Sequence, residues 1–415
     1  MKKRTAALGF IFVTVLIDIT GLGIIIPVMP SLISELIDGT VSEASVYSGW
    51  LIFVYAFFQF LFAPVLGGLS DKFGRRPILL IALFGLAVDY LFLALAPTIG
   101  WLFVGRVIAG ICGASFTTAS AYIADISSPE KRAQNFGLIG AAFGLGFIIG
   151  PVFGGFLGEL GSRVPFFVAA GLTFVNWLYG FFIVPESLPT ENRRAFSIKR
   201  ANPLGTVVQL RKYPMIAGLL IAMFFVYVAQ HATHSTWAFF TQESFDWSPK
   251  DVGVSLGFVG VLITIVQGLV IKPVVTRFGQ ENALYMGLAF NAVGLLLIAL
   301  ATQGWMIYVI MLPYCLGGLA GPSLQGIMSS QVTASEQGEL QGGLTSIMSI
   351  TSIIGPPLMT SIFYQFTAPE YEVYFPGAPF LLATLLSTIS FFLAYRSLSH
   401  LGSKKIKDST QPLDA

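Results

Sequence analysis

The chain has 415 residues, of which 55% are hydrophobic and only 11% are charged, and its formal net charge is +2. A soluble domain carries roughly 25% charged residues, so a chain this apolar is expected to face lipid rather than water. The small net charge excludes the strongly basic surface of a nucleic-acid-binding protein. The composition therefore predicts an integral membrane protein that is surrounded by the lipid bilayer and has no nucleic-acid partner.

Long apolar runs recur along the whole chain. A helix needs roughly 20 apolar residues to cross ~30 Å of hydrocarbon, and it satisfies its own backbone hydrogen bonds in lipid. The first run follows Lys2-Lys3-Arg4 directly and is too long for the apolar part of a signal peptide. We predict twelve transmembrane helices, at 7–29, 46–69, 77–96, 99–123, 135–159, 164–184, 214–236, 250–274, 281–301, 304–328, 340–365 and 376–397.

Lys and Arg residues are concentrated in alternate loops. With the N-terminus inside, the outer loops hold only Arg163 and Lys250, and apart from Arg106 the other Lys and Arg residues fall in inner segments. Cytoplasmic loops carry an excess of these residues. The pattern predicts a multi-pass protein of a bacterial-type inner membrane with both termini in the cytoplasm.

The longest inner loop divides the spans into six and six, and short sequences recur across it. The segment 71–74 recurs as 276–279, and Gly150-Pro151 recurs as Gly355-Pro356, both at an offset of 205. Such internal repeats are usual in secondary transporters. We therefore predict two pseudo-symmetric six-helix bundles, with an N-terminal bundle at 1–190, a cytoplasmic linker at 191–212, a C-terminal bundle at 213–400 and a cytoplasmic tail at 401–415.

Three charged residues stand far from the ends of predicted spans: Asp18 in span 1, Asp89 in span 3 and Arg106 in span 4. A charge at the centre of a span costs about 3 kcal/mol on insertion scales, so it is expected to have a task or a partner. The helical rise places Asp89 and Arg106 at similar depth, where they can reach each other or Asp18. A proton-coupling network is one interpretation, and a static ion pair is the other.

Span 7 carries a stripe of polar and aromatic residues. Tyr227, Gln230, His234 and Trp237 recur at i, i+3, i+7 and i+10, which places them on one helical face, and His231 lies off that line. Facing a cavity, these residues would bind a planar ligand with polar edges by stacking and hydrogen bonding. For His234, a hydrogen-bonded packing histidine is an equally open interpretation.

Further candidate substrate-binding residues are polar side chains in apolar surroundings. Tyr55 and Gln59 share a face of span 2 at i and i+4, and Gln267, Asn291 and Gln325 stand in spans 8, 9 and 10. Lining a cavity and hydrogen bonding between helices are both open interpretations for each of them.

Several segments match known transporter motifs. They are the inner loop 67–76, Leu102-xxx-Arg106-xxx-Gly110 in span 4, the glycine-rich segment 144–155 in span 5, and Asp18 followed by Pro27 and Pro30 in span 1. Together these segments resemble the major facilitator superfamily. Within it, the chain is similar to the twelve-span drug:proton antiporters, most of all to the tetracycline-exporter group.

The resemblance implies roles for two sets of residues. The inner loop would close the cytoplasmic mouth, with Asp71, Arg75 and Asp125 as the cytoplasmic gate. The span-5 antiporter motif would consist of Gly144, Gly150, Pro151, Gly154 and Gly155. Its proline bends the helix and its glycines allow close packing. Plain helix packing would require the same glycines.

The resemblance also implies a proton-coupled antiporter, acting as a monomer, that exports small amphiphilic drug-like molecules. The sequence contains no phosphate-binding G-x-x-x-x-G-K-[ST] loop, no metal-ligand cluster and no paired nucleophile and base. We therefore expect that the protein is not an ATP-driven pump or an enzyme, and that it binds no metal and no cofactor. Cys112 and Cys315 are expected to be small buried hydrophobic residues rather than a disulfide.

Two positions depart from the tetracycline-exporter pattern. Asn291 stands in span 9 where those exporters carry an acidic residue, and Ile263 stands in span 8 where they carry a histidine. The departures favour an alternative, in which a transporter of the same fold carries a metabolite, a sugar derivative or a siderophore.

Overall fold

A computed structural model of the chain describes residues 2–113, 115–127, 131–196, 214–333 and 336–409. Residues 197–212 of the predicted linker and 410–415 of the predicted tail lie outside the described residues. The helices are α1 (Lys2–Ile25), α2 (Met29–Ile37), α3 (Val41–Phe73), α4 (Arg75–Leu95), α5 (Ile99–Cys112), α6 (Ser115–Ile126), α7 (Arg132–Gly158), α8 (Val164–Ile183), α9 (Pro214–Phe245), α10 (Pro249–Ile265), α11 (Ile271–Ala299), α12 (Gly304–Leu316), α13 (Ala320–Ser329), α14 (Gln337–Gln365) and α15 (Ala378–Ser409).

Ten helical stretches within these ranges are long and apolar enough to cross a membrane. One of them, Pro249–Ala299, overlaps predicted spans 8 and 9, and each of the others overlaps one predicted span. The remaining span, 99–123, is divided into α5 and α6, which meet around Gly113. The prediction of a twelve-span, all-helical membrane fold is thereby confirmed.

Local irregularities also interrupt spans 1 and 8. Pro27 has no backbone N–H to donate, and Ile26–Val28 forms a 3-10 turn between α1 and α2. Between α10 and α11 the helix widens into one π-helical turn, Val266–Val270, which contains Gln267. Turns of this kind inside α-helices often occur at functional sites.

Four of the five positive-φ residues in the described part of the chain occur as pairs, one member in each half. Gly74 has φ 107° and ψ 159°, and Gly279, which is 205 positions later, has φ 81° and ψ 163°. Asp38 directly follows α2 with φ 51°, and Asp246 directly follows α9 with φ 54°. A positive φ strongly favours glycine, so the glycines at positions 74 and 279 follow from the backbone that these two helix connections require.

The described chain packs as two compact units. The first comprises the described residues within 1–203, 235–261 and 356–374, and the second those within 204–234, 262–355 and 375–415. The core of the first unit includes the buried side chains of Phe10, Ile11, Leu79, Leu83 and Tyr122. The core of the second unit includes those of Leu219, Leu284, Met328, Leu340 and Ala394. The bundle boundaries at 1–190 and 213–400 remain a prediction.

Candidate functional site

A buried ion pair lies in the first unit. Arg106 of α5 donates a hydrogen bond through Nη2 to Oδ2 of Asp89 on α4. The two side chains are 8% and 1% exposed. Gly105 leaves room for the carboxylate, because a Cβ atom at that position would come 2.7 Å from Oδ1 of Asp89. Neither charge would be tolerated alone at this depth, so each stabilises the burial of the other.

The Tyr55 side chain on α3 lies beside this pair. The guanidinium carbon of Arg106 is 5.9 Å from the centroid of the Tyr55 ring. Asp18, which lies on α1 and is 9% exposed, is within electrostatic reach of the Tyr55 hydroxyl together with Asp89 and Arg106. Four helices thus bring the three charged residues of the predicted network around one aromatic side chain.

Gln59 lies one helical turn after Tyr55 and is also half-buried. Its Nε2 donates hydrogen bonds to the Tyr55 hydroxyl at 3.1 Å and to the carbonyl oxygen of Gly113 at 3.0 Å. Both polar residues that the sequence singles out in span 2 therefore lie against the charged network.

A second charged cluster lies at the start of α4. The Arg75 side chain approaches Asp71 Oδ1 to 2.5 Å through Nη1 and donates to Asp125 Oδ2 at 3.1 Å through Nε. Nη1 also donates to Ser70 Oγ at 2.6 Å. One guanidinium thus joins the end of α3 to the end of α6, and it brings the three predicted gate residues together.

Glu186 is a residue of this cluster that the sequence analysis missed. Its carboxylate accepts the backbone N–H groups of Arg75 at 2.8 Å and of Arg76 at 3.2 Å, at the start of α4. It also accepts the N–H groups of Ser187 and Leu188. The first N–H groups of a helix have no intrahelical partner and carry partial positive charge, so a carboxylate stabilises them. The available signal was a single acidic residue directly after the sixth span.

The span-5 glycines pack tightly against α1. A Cβ atom at Gly150 would come 2.6 Å from the carbonyl oxygen of Thr20 and 2.8 Å from Cα of Gly23. One turn later, a Cβ atom at Gly154 would come 2.7 Å from Cα of Ile24. These two glycines allow the backbones of α1 and α7 to touch.

The other motif residues differ from one another. Gly155 faces the start of α10, where an added Cβ atom would come 2.6 Å from the carbonyl oxygen of Pro249. The Pro151 carbonyl lies against Gly253 of the same helix. Gly144 has no side chain or distant backbone within 4 Å of its Cβ position. Close packing therefore explains Gly155 but not Gly144.

In the second unit, the candidate substrate-binding residues have different environments. Tyr227 of α9 and Gln325 of α13 share a hydrogen bond. His234 and Gln267 are exposed, whereas Gln230 is half-buried.

Trp237 does not share the exposed face of His234. It belongs to the first unit, is 2% exposed, and donates from Nε1 to Ser255 Oγ of α10 at 3.0 Å. The helical period predicts one continuous stripe, but α10 packs over the side of α9 on which Trp237 lies.

Asn291 is a packing residue in this structure. It is 7% exposed, and its Oδ1 accepts a hydrogen bond from Ser387 Oγ of α15 at 2.9 Å. Gly317 packs over it, since a Cβ atom there would come 3.0 Å from Cβ of Asn291. Of the two interpretations open for this amide, the geometry matches a hydrogen bond between helices.

A membrane protein with two related halves, twelve spans and an ion pair inside the spans has the features of a secondary transporter. The sequence model of the Major Facilitator Superfamily matches residues 11–331. The chain therefore belongs to the Major Facilitator Superfamily, as its motifs predict.

Relatives and solved structures agree with this assignment. The class C tetracycline resistance protein of Escherichia coli is 41% identical over 361 residues, which cover 87% of this chain and 90% of that protein. The class B tetracycline resistance protein of Escherichia coli is 34% identical over 92% of this chain and 94% of that protein. The crystal structure of the human organic anion transporter MFSD10 superposes with a TM-score of 0.69 at 23% identity, covering 94% of this chain and 99% of that one.

Proposed function

We propose that this protein is a proton-coupled antiporter that exports tetracycline-like amphiphilic molecules across a bacterial inner membrane. We further propose that it acts as a monomer with both termini in the cytoplasm. The observation that supports proton coupling is the buried Asp89–Arg106 pair, with Asp18 close to it. The substrate class rests on the 41% identity with the class C tetracycline resistance protein.

Proton coupling follows from the chemistry of the pair. The Arg106 guanidinium stays charged throughout and favours the ionised form of Asp89. When a proton neutralises the Asp89 carboxyl group, Arg106 loses its charged partner and is free to interact with Asp18. A substrate that competes with protons for these groups is exchanged for them, since each ligand lowers occupancy by the other.

Substrate recognition belongs to the polar side chains that remain accessible. His234 and Gln267 are exposed and Tyr227 is joined to Gln325, so these residues offer an aromatic ring with several hydrogen-bonding groups. In the first unit, Tyr55 lies beside the charged pair, and Gln59 donates a hydrogen bond to its hydroxyl. Gln230 is a further contact, while Trp237 and Asn291 hold their helices in place.

The inner cluster acts as the cytoplasmic gate in this proposal. Arg75 joins Asp71 to Asp125 through two short contacts, and Glu186 holds the start of its helix. Exchanging such contacts between two conformations would open and close the inner mouth without a covalent step. The packed glycines Gly150 and Gly154 keep α7 against α1 during this change.

The second candidate is a transporter of the same fold with a physiological substrate, such as a metabolite, a sugar derivative or a siderophore. Asn291 favours it, since a neutral amide bonded to Ser387 stands where the tetracycline exporters carry an acid. Ile263 supports the same candidate, because it cannot supply the imidazole that the exporters have at that position.

Drug susceptibility and vesicle transport together test the proposal. Expression in an efflux-deficient bacterial host is expected to raise the tetracycline concentration needed to stop growth, and the Asp89→Asn variant is expected to abolish this protection. Everted membrane vesicles should accumulate tetracycline only while a ΔpH is present. Accumulation that ignores the ΔpH would overturn the coupling, and a host that stays fully sensitive would favour the physiological substrate.

The same vesicles also test whether tetracycline is carried as its magnesium complex or without the metal. Uptake is measured with magnesium and again with a chelator that removes it. Since Asn291 is uncharged where the tetracycline exporters carry an acid, we expect the two rates to be similar.

A further inference from the structure

Gln59 makes two hydrogen bonds within the protein, and these indicate a role other than substrate binding. One amide hydrogen goes to the Tyr55 hydroxyl at 3.1 Å, and the other goes to the Gly113 carbonyl oxygen at 3.0 Å. An amide nitrogen has two hydrogens, so both donors of Gln59 are used within the protein. The side chain therefore connects α3 with the junction in span 4.

Gly113 is the residue at which span 4 changes its hydrogen bonding. α5 ends at Cys112, α6 begins at Ser115, and Gly113 itself has φ −66° and ψ 15°. Its N–H reaches back to Gly110 at 3.3 Å, which is the spacing of a 3-10 turn rather than of an α-helix. Gln59 satisfies the carbonyl oxygen at this irregular point, and a Cβ atom at Gly113 would come 2.8 Å from its Nε2.

The helices on the two sides of this junction carry different charged groups. α5 carries Arg106, which pairs with Asp89 and lies 5.9 Å from the centroid of the Tyr55 ring. α6 carries Asp125 near its far end, about 15 Å from the junction at 1.5 Å per residue, and Asp125 accepts from Arg75. A tilt of α6 at Gly113 would therefore move the partner of Arg75.

The second half of the chain has a matching glutamine without this bond. Gln59 is 18 residues after Val41, the first residue of α3, and Gln267 is 18 residues after Pro249, the first residue of α10. The junction in span 10 is a 3-10 turn at Gly317–Leu319. Gln267 is exposed and makes no hydrogen bond within the described part of the chain. The bonded glutamine thus occurs in the half that contains the buried ion pair.

We propose that Gln59 is a positioning residue that couples the Asp89–Arg106 pair to the α5–α6 junction, and through α6 to the Asp71–Arg75–Asp125 gate. The inference rests on the proposed proton coupling, and it deepens that proposal by naming the physical link between proton site and gate. When Asp89 is protonated, Arg106 loses its charged partner and its guanidinium moves under the Tyr55 ring. Tyr55 then shifts the amide of Gln59. The carbonyl oxygen of Gly113 thereby loses or changes its hydrogen-bond donor.

Transport by purified protein in liposomes separates coupling from substrate binding. Tetracycline uptake driven by a ΔpH requires the link between the Asp89–Arg106 pair and the gate. Tetracycline counterflow without a gradient requires only that the protein binds the drug and changes conformation. For Gln59→Leu we expect the ΔpH-driven rate to fall about tenfold, about threefold for each of the two hydrogen bonds that it removes, with the counterflow KM within about twofold of wild type. Tyr55→Phe keeps the ring beside Arg106 and the bond to Gly113, so a smaller loss of about threefold is expected.

Gln267→Leu is the matched control, because it removes the same group from the corresponding position of the other half. Its counterflow KM is expected to rise, while the ratio of ΔpH-driven transport to counterflow stays at the wild-type value. A raised counterflow KM in Gln59→Leu with an unchanged ratio would make Gln59 a substrate contact and overturn the inference. Full ΔpH-driven transport by this variant would overturn it as well.

Hydrogen exchange of the α6 amides provides a second measurement that needs no substrate. After correction for the intrinsic effect of pH, protection of residues 118–126 is expected to differ between acidic and neutral pH in the wild type and in Gln267→Leu, but not in Gln59→Leu. The same pH response in Gln59→Leu as in wild type would exclude the link. A wild type that ignores the ΔpH in liposomes yet shows this difference in α6 would overturn the proposed antiport and not the link.

Discussion

Arg106 on α5 and Asp89 on α4 form an ion pair in which neither side chain is more than 8% exposed. Removing one member of such a pair leaves the other charge buried without compensation, and typically costs about 3–5 kcal/mol. The pair is therefore a structural element as well as a proposed proton site, and these two roles separate experimentally.

The Asp89→Asn variant is expected to be less stable than the wild type by about 3–5 kcal/mol, because it leaves the Arg106 charge in apolar surroundings. Thermal unfolding of the purified protein in detergent measures this loss. Combining it with Arg106→Gln removes both charges and is expected to restore much of the stability without restoring ΔpH-driven transport. An Asp89→Asn protein as stable as the wild type would contradict the burial of the pair.

The Asp18→Asn variant is expected to fold normally and to lose pH-driven exchange. The amide is close in size to the carboxyl group, but it neither binds nor releases a proton between acidic and neutral pH. Counterflow of tetracycline should persist, since it involves no net proton movement. Undiminished ΔpH-driven transport in liposomes would remove Asp18 from the mechanism.

The Asp71→Asn variant is expected to slow transport of every substrate by a similar factor, since it weakens the gate and not the binding residues. Asp71 is 45% exposed, so the stability change should stay within about 1 kcal/mol. Initial rates for several drugs give the measurement, and Lys72→Gln at the neighbouring position is the control. A changed order of preference among the drugs would show that the loop is more than a gate.

The Glu186→Gln variant tests the residue that the sequence analysis missed. Oε1 accepts from Arg75 and Oε2 from Arg76, whereas an amide offers only one acceptor oxygen and no charge for the start of α4. We expect a loss of about 1 kcal/mol in stability and slower transport, as for loss of a helix cap. Thermal unfolding and initial rates measure both, and a variant with wild-type values would show that Glu186 is dispensable.

The Gly150→Val variant is expected to reduce folded yield or to destabilise the protein by about 1–3 kcal/mol, because the new side chain would overlap Thr20 and Gly23 of α1. Gly144→Val on the same helix is the matched control, since no described side chain or distant backbone lies within 4 Å of its Cβ position. Size-exclusion profiles and thermal unfolding of the two proteins are compared. Equal damage from both substitutions would argue against specific packing between α1 and α7.

Part of the site was predictable from residue type and spacing. A carboxylate or guanidinium inside an apolar run is conspicuous, which is why Asp18, Asp89 and Arg106 stand out in the sequence. The contact between Asp89 and Arg106 follows from their similar depth in adjacent spans. Glu186 was not predictable in this way, because an acidic residue in a loop has no distinguishing pattern until a helix start is placed beside it.

The periodic argument failed where a neighbouring helix intervened. Tyr227, His234 and Trp237 fall on one face of an ideal helix, yet His234 is exposed and Trp237 is buried against Ser255. A period defines which side chains share a face, but it contains no information about which helix covers that face.

The sequence by itself determined the twelve helices, because lipid leaves the backbone no alternative to internal hydrogen bonds. Its motifs also determined the superfamily. Only the tertiary structure decided that Gln59 bonds to Gly113 while Gln267 bonds to no described residue. Both glutamines stand in apolar runs, and the difference arises from the carbonyl oxygen that the α5–α6 junction places beside Gln59.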